Sequence, residues 1–135
     1  MTNLRIPGPT PLPPAVVEAG AKEMINHRGP EFAALIADVT ARLKRWFQTD
    51  NDLFLFPSSG TGGLEAAVSN LFSPGEKVIA ISVGNFGDRF REIAETYGLN
   101  VIRMDVPWGW AADPDALRSL LAENPDTKGI LITHN

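Results

Sequence analysis

The chain has 135 residues, which suits one ordinary domain, and with 44% apolar and 21% charged residues its composition is that of a folded globular protein, excluding disordered and fibrous classes. Twelve Lys and Arg against sixteen Asp and Glu give a net charge of -4 with no basic run, which argues against a nucleic-acid partner, and zero cysteines exclude disulfides, thiolate zinc sites and a Cys nucleophile. No apolar stretch approaches the roughly 18 to 20 residues of a membrane span and residues 1 to 14 lack the plan of a signal peptide, so a cytoplasmic chain without a membrane partner is expected.

Prolines crowd the start. Pro7, Pro9, Pro11, Pro13 and Pro14 fix φ and remove backbone donors, which predicts an extended arm over 1 to 14 ahead of a domain over 15 to 135. Val17, Ala21, Met24 and Ile25 then fall at helical spacing up to the break at Gly29-Pro30, with Gly20 weakening that helix from inside. A stronger helix follows: Phe32, Leu35, Ile36, Val39, Leu43, Trp46 and Phe47 form a broad apolar stripe suited to packing, with Asp38 and Arg42 paired at i, i+4 outside it.

From Asp52 the period changes. Leu53-Phe54-Leu55-Phe56 reads as a short buried strand that opens into Ser58-Ser59-Gly60-Thr61-Gly62-Gly63, and Leu64, Ala67, Val68 and Leu71 resume helical spacing until Ser73-Pro74-Gly75. Residues 78 to 83 are rich in β-branched side chains and predict a buried strand ending at the Gly84-Asn85-Phe86-Gly87 turn. Phe90, Ile93, Ala94 and Tyr97 mark a helix closed by Gly98, and residues 101 to 104 a third strand. Asp113 with Pro114 opens a helix through Leu117, Leu120 and Leu121, and residues 129 to 133 make a fourth strand. Strands alternating with helices predict an α/β fold, a mainly parallel sheet covered by helices through right-handed crossovers. Ligands of such sheets sit outside the carboxyl ends of the strands, which brings the loops at 57 to 63, 84 to 87 and 133 to 135 to one face.

The glycine-rich loop at 58 to 63 is the sharpest chemical signal. Small residues let backbone N-H groups approach an anion while the following helix offers its positive end, so the loop reads either as a phosphate cradle or as a plain glycine-rich turn. It is not a Walker A loop, because no Gly-Lys-Ser/Thr follows, and not G-x-G-x-x-G, because Glu65 holds the last glycine position. Phe86, flanked by glycines after a buried strand, is either a face for a planar heterocycle or a core residue. His27 has Glu23 and Glu31 at i±4, but the helix breaks at Gly29-Pro30, so at most Glu23 and His27 share a face. No metal site is expected. His134 is expected to line the strand-end face, and Trp108 and Trp110 to be half-buried packing. Asp50-Asn51-Asp52 resembles the start of a calcium loop but lacks its third ligand position and its glycine.

Four stretches, taken in order, resemble the class V aminotransferases, pyridoxal-phosphate enzymes of fold type I, and within them the alanine/serine-glyoxylate branch. They are Ile6-Pro7-Gly8-Pro9-Thr10-Pro11 with Leu12-Pro13-Pro14, residues 26 to 32, residues 58 to 67, and Thr133-His134-Asn135. The resemblance implies that residues 15 to 135 form the N-terminal part of the cofactor-binding α/β domain, with the cofactor pyridoxal 5'-phosphate. It implies that Ser59, Gly60 and Thr61 hold the cofactor's phosphate and that Phe86, where the family often carries Trp, lies against its pyridine ring. Gly8 falls in what looks like the segment that closes over the substrate in the family's dimers. Expected partners are a small amino acid, a 2-oxo acid and a second copy of the protein.

The family's other cofactor and substrate groups, including the Schiff-base lysine, are expected beyond Asn135. Lys22, Lys44, Lys77 and Lys128 lie on early helices or at the wrong end of the sheet, so no catalytic residue is expected within the chain, which reads as a fragment of an aminotransferase. Two rival readings remain at this level. One is a short non-catalytic anion-binding or interaction module derived from the same fold. The other is a different activity of that fold, such as a lyase or desulfurase.

Overall fold

The structure is a computed structural model that describes residue 6 and residues 8 to 134. Chain contacts divide it into two compact units, residues 1 to 54 and residues 55 to 135.

The first unit holds α1 (Pro14–Gly20) and α2 (Pro30–Phe47). The predicted first helix stops at Gly20 rather than continuing to residue 25, and Ala21 closes it by donating its N-H back to the Val17 carbonyl. Without helix at 21 to 27, Glu23 and His27 do not share a face. Pro30 starts α2 at the position where a missing N-H costs nothing, and Glu31 in the first turn with Lys44 and Arg45 in the last complement the helix dipole. Gln48, at φ 54, ends it in the left-handed conformation, and Thr49 N-H returns to the Lys44 carbonyl. The Asp38–Arg42 pair forms as the spacing predicts, with Arg42 Nη2 2.9 Å and Nε 3.0 Å from the carboxylate oxygens. The apolar stripe is present, but none of its residues is buried: Leu35 and Ile36 are exposed, and Trp46 and Phe47 meet edge to face with 76% and 59% of their surfaces open.

The second unit runs α3 (Gly60–Leu71), β1 (Lys77–Ser82), α4 (Asn85–Thr96), β2 (Asn100–Asp105), α5 (Pro114–Glu123) and β3 (Gly129–Ile132). Its sheet has three strands in the order β2-β1-β3, both pairings parallel, with Ile79 of β1 opposite Ile102 and Ile130. The central strand is buried over five successive residues, which is why 78 to 83 reads as a continuous apolar run rather than an alternation. Val68, Val78, Ala80, Phe90, Ala94, Leu99 and Leu131 form the core between the sheet and the helices α3 and α4. Gly129 is dictated by packing, because a Cβ there would stand 2.6 Å from the Phe72 ring. Asp113 caps α5 as its sequence predicts, its carboxylate accepting from Asp115 N-H at 2.9 Å.

Two expectations change. Residues 53 to 56 are not a strand of this sheet, and Phe54, Leu55 and Phe56 are exposed. Four apolar residues in a row specify a need for cover; they say nothing about where a ladder partner lies. The two glycine-rich loops are also shorter than expected, because α3 already begins at Gly60 and α4 at Asn85, so Thr61, Gly62, Gly63, Phe86 and Gly87 sit in first helical turns.

Candidate functional site

The second unit brings two helix N-termini together. Ser59 precedes α3 in extended conformation and makes no side-chain capping bond, and Gly60 and Thr61 N-H have no backbone acceptor among the described residues. A helix start normally consumes these donors in a cap. Here they stay open, together with the Ser59 hydroxyl, and neither Gly60 nor Gly63 has any atom within 4 Å of where a Cβ would stand. Gly62 differs: its Cβ would meet Ser58 Oγ at 2.6 Å, so a side chain there would have to displace the Ser58 hydroxyl. The result is an open, donor-rich helix start at the positive end of a twelve-residue helix.

The second N-terminus follows β1. Gly84 leads into α4, and Gly87 lets the first turn press onto the strand end, where a Cβ would stand 2.8 Å from Ser82 Cα. The buried Ser82 hydroxyl donates to Asp88 Oδ1 at 2.9 Å, with the Gly84 carbonyl oxygen 3.1 Å away. Arg91, almost buried, places its Nη1 3.3 Å from Asp88 and 3.7 Å from Asp105, and its Nε 3.7 Å from Glu95. These contacts balance its charge without well-aligned hydrogen bonds. The polar network pins the start of α4 and thereby orients Phe86, which is 36% exposed.

Arg89 links the two N-termini. Its Nη1 donates to Thr61 Oγ1 at 3.2 Å, and its guanidinium lies 5.8 Å from the centroid of the Phe86 ring. The structure thus gathers Thr61, with the adjoining Ser59 and Gly60, and Phe86 around one cation. Nothing in the sequence pattern singles out Arg89; only its i+3 distance from Phe86 could have suggested it. Gly8 lies in the first unit and is exposed.

Beside β3, Val83, Trp110, Ile132, Thr133 and His134 line a cavity of about 420 Å³, which places His134 at the strand-end face as expected. Thr133 Oγ1 is buried there with no hydrogen-bond partner among the described residues. Trp108 and Trp110 are not packing residues, since 72% and 74% of their surfaces are open; a loop tryptophan is buried only where an element covers it. Lys77 and Lys128 stand at the amino ends of β1 and β3, opposite the helix N-termini, and Lys77 is held by Asp126 at 2.7 Å.

A parallel sheet with an uncapped glycine-rich helix start and an aromatic turn after its central strand makes this an α/β protein, and its structural neighbours are aminotransferases of fold type I. The class-V aminotransferase family model matches residues 2–135, and the chain belongs to that family. It is 42% identical over 132 residues to an uncharacterized aminotransferase of Methanocaldococcus jannaschii, with 98% of this chain and 34% of the relative covered. With the serine–glyoxylate aminotransferase of Methylorubrum extorquens the identity is 34%, again covering 98% of this chain and 34% of the relative. The crystal structure of an alanine–glyoxylate aminotransferase from Nostoc superposes with a TM-score of 0.81 at 31% identity, over 89% of this chain and 32% of that one. The chain therefore spans about a third of the length of the relatives it matches. Among the described residues no helix is long and apolar enough to cross a membrane.

Proposed function

We propose that this chain carries the phosphate-binding and ring-stacking portion of a pyridoxal-phosphate aminotransferase, which moves an amino group from a small amino acid to a 2-oxo acid such as glyoxylate. One observation carries the reading: the uncapped start of α3 and the ring of Phe86 are gathered around a single guanidinium. The residues present suit the cofactor. Among the described residues Gly60 and Thr61 N-H and the hydroxyls of Ser59 and Thr61 are donors without acceptors, as an ester phosphate requires, and Phe86 offers an apolar face for a pyridine ring.

When bound, pyridoxal phosphate supplies an electron sink that lets an amino acid lose its α-proton and exchange its amino group. The part of these residues is to hold and orient. The α3 dipole and the open N-H groups fix the anionic end, and the aromatic face sets the plane of the ring. The sequence resemblance alone assigns Gly8 to the arm that closes over substrate and supports a homodimeric enzyme with residues 15 to 135 in its cofactor domain. The names of the relatives, serine–glyoxylate and alanine–glyoxylate aminotransferase, support the substrate class.

The test uses pyridoxamine 5'-phosphate, which has no aldehyde to react with surface lysines, and pyridoxamine, which lacks the phosphate. The chain should bind the ester and prefer it clearly over pyridoxamine, and Gly60→Asp, which places a carboxylate among the open donors, should abolish the preference. Equal binding of the two probes, or an unchanged preference in Gly60→Asp, defeats the assignment.

A further inference from the structure

We propose that Arg89 is a positioning residue of this site, fixing the Thr61 hydroxyl as a donor toward the phosphate and holding the Phe86 ring in place; the inference rests on the reading above. A threonine hydroxyl can donate or accept, and rotates to suit its neighbours. An arginine can only donate. In the 3.2 Å contact between Arg89 Nη1 and Thr61 Oγ1 the oxygen must accept, so the single hydroxyl proton is left for another partner. No other described residue takes it. The polarity left over is the one an anion at the α3 N-terminus needs, while a neutral or cationic ligand gains nothing from it.

The same guanidinium faces Phe86 from one turn further along α4, 5.8 Å from the ring centroid. A planar fork can serve both contacts at once where a lysine ammonium serves one. An arginine at a helix surface usually closes on a carboxylate, and two are near. Arg89 shares a shallow cavity of about 290 Å³ with Glu65 and Glu92, Glu92 standing at i+3, yet it forms an ion pair with neither among the described residues. Glu65 is engaged instead by Tyr97 Oη at 2.7 Å. The charge of Arg89 thus stays available beside an uncapped helix start, where it adds to the field that favours a doubly charged phosphate ester.

Binding of pyridoxamine 5'-phosphate to the chain, with pyridoxamine as the phosphate-free control, tests this through a double-mutant cycle. Arg89→Met should weaken the phosphate ester about tenfold, the scale of one lost charge-assisted contact, and weaken pyridoxamine, which meets only the Phe86 ring, far less. In a Thr61→Val background the same change should cost clearly less, because the hydroxyl it orients is gone and only its charge and its ring contact remain. Arg89→Lys, which keeps the charge without the fork, should recover only part of the affinity. Circular dichroism checks the fold, and if Arg89→Met fails to fold, Arg89→Gln enters the same cycle. Wild-type affinity in Arg89→Met, or an undiminished loss in the Thr61→Val background, overturns the role of Arg89 and leaves the site standing. If the unsubstituted chain does not distinguish the two probes, the site assignment falls and this inference with it.

Discussion

Gly87 and Ser82 stand so close that no side chain fits between them: a Cβ on Gly87 would lie 2.8 Å from Ser82 Cα and 3.1 Å from the Ile81 carbonyl oxygen. The first turn of α4 rests directly on the end of the central strand. That contact sets the height at which Phe86, one residue earlier, and Arg89, two residues later, leave the helix. Backbone cannot yield as a flexible side chain would, so a methyl group here must lift the helix.

Gly87→Ala is accordingly expected to destabilise the fold by about 1–3 kcal/mol, the usual cost of overpacking a tight contact. Gly63→Ala is the control. Gly63 is helical and has nothing within 4 Å of its Cβ position, so alanine should raise stability by about 0.5–1 kcal/mol through its lower conformational entropy in the unfolded chain. Thermal or urea unfolding of the two variants measures both signs, and a Gly87→Ala midpoint at or above wild type would show that the contact has room to relax.

A second prediction concerns the polar side of the same junction. The Ser82 hydroxyl is buried and donates to Asp88, and Arg91 lies 3.3 Å from the same carboxylate. Removing the acceptor leaves a buried hydroxyl with only the Gly84 carbonyl nearby and takes one opposing charge from a largely buried guanidinium. Asp88→Ala should therefore cost about 1–3 kcal/mol, and Asp88→Asn, which keeps an acceptor for Ser82, clearly less. Equal losses in the two variants would place the whole effect on charge.

The sequence makes the sheet and its helices legible because their signals are local. The β-branched run at 78 to 83, the cap at Asp113-Pro114 and the glycine stop at Gly98 each need only neighbours in the chain, and β1, α5 and the end of α4 stand where these place them. The apolar segments at 53 to 56 and along α2 carry a different kind of information. They state that a surface is suited to cover, and whether cover arrives depends on residues distant in sequence. In the site, Ser59, Gly60, Thr61 and Phe86 could be named from loop chemistry and resemblance. Arg89 could not, because its reach to Thr61 spans 28 positions and exists only once α3 lies beside α4. Trp108 and Trp110 show the converse error, since bulk alone does not bury a side chain.

The contact between Tyr97 and Glu65 yields a test in solution. The phenol donates to Glu65 Oε1 at 2.7 Å across the two helices that carry the proposed site. That hydrogen bond, with smaller contributions from partial desolvation and the nearby carboxylate charge, holds the Tyr97 pKa above the ordinary phenol value. The neutral form is the one the fold retains. Its stabilising contribution is complete below the pKa of an unfolded tyrosine, near 10, and is lost as the pH rises through the higher folded value. Tyr97 is the single tyrosine of the chain, so phenolate absorbance reports it without overlap from another. Its titration should begin later than that of a free tyrosine, and Glu65→Gln, which removes the charge and weakens the acceptor, should bring it back toward the ordinary phenol value. An identical titration in the two proteins would mean that the helices are not joined through this pair in solution.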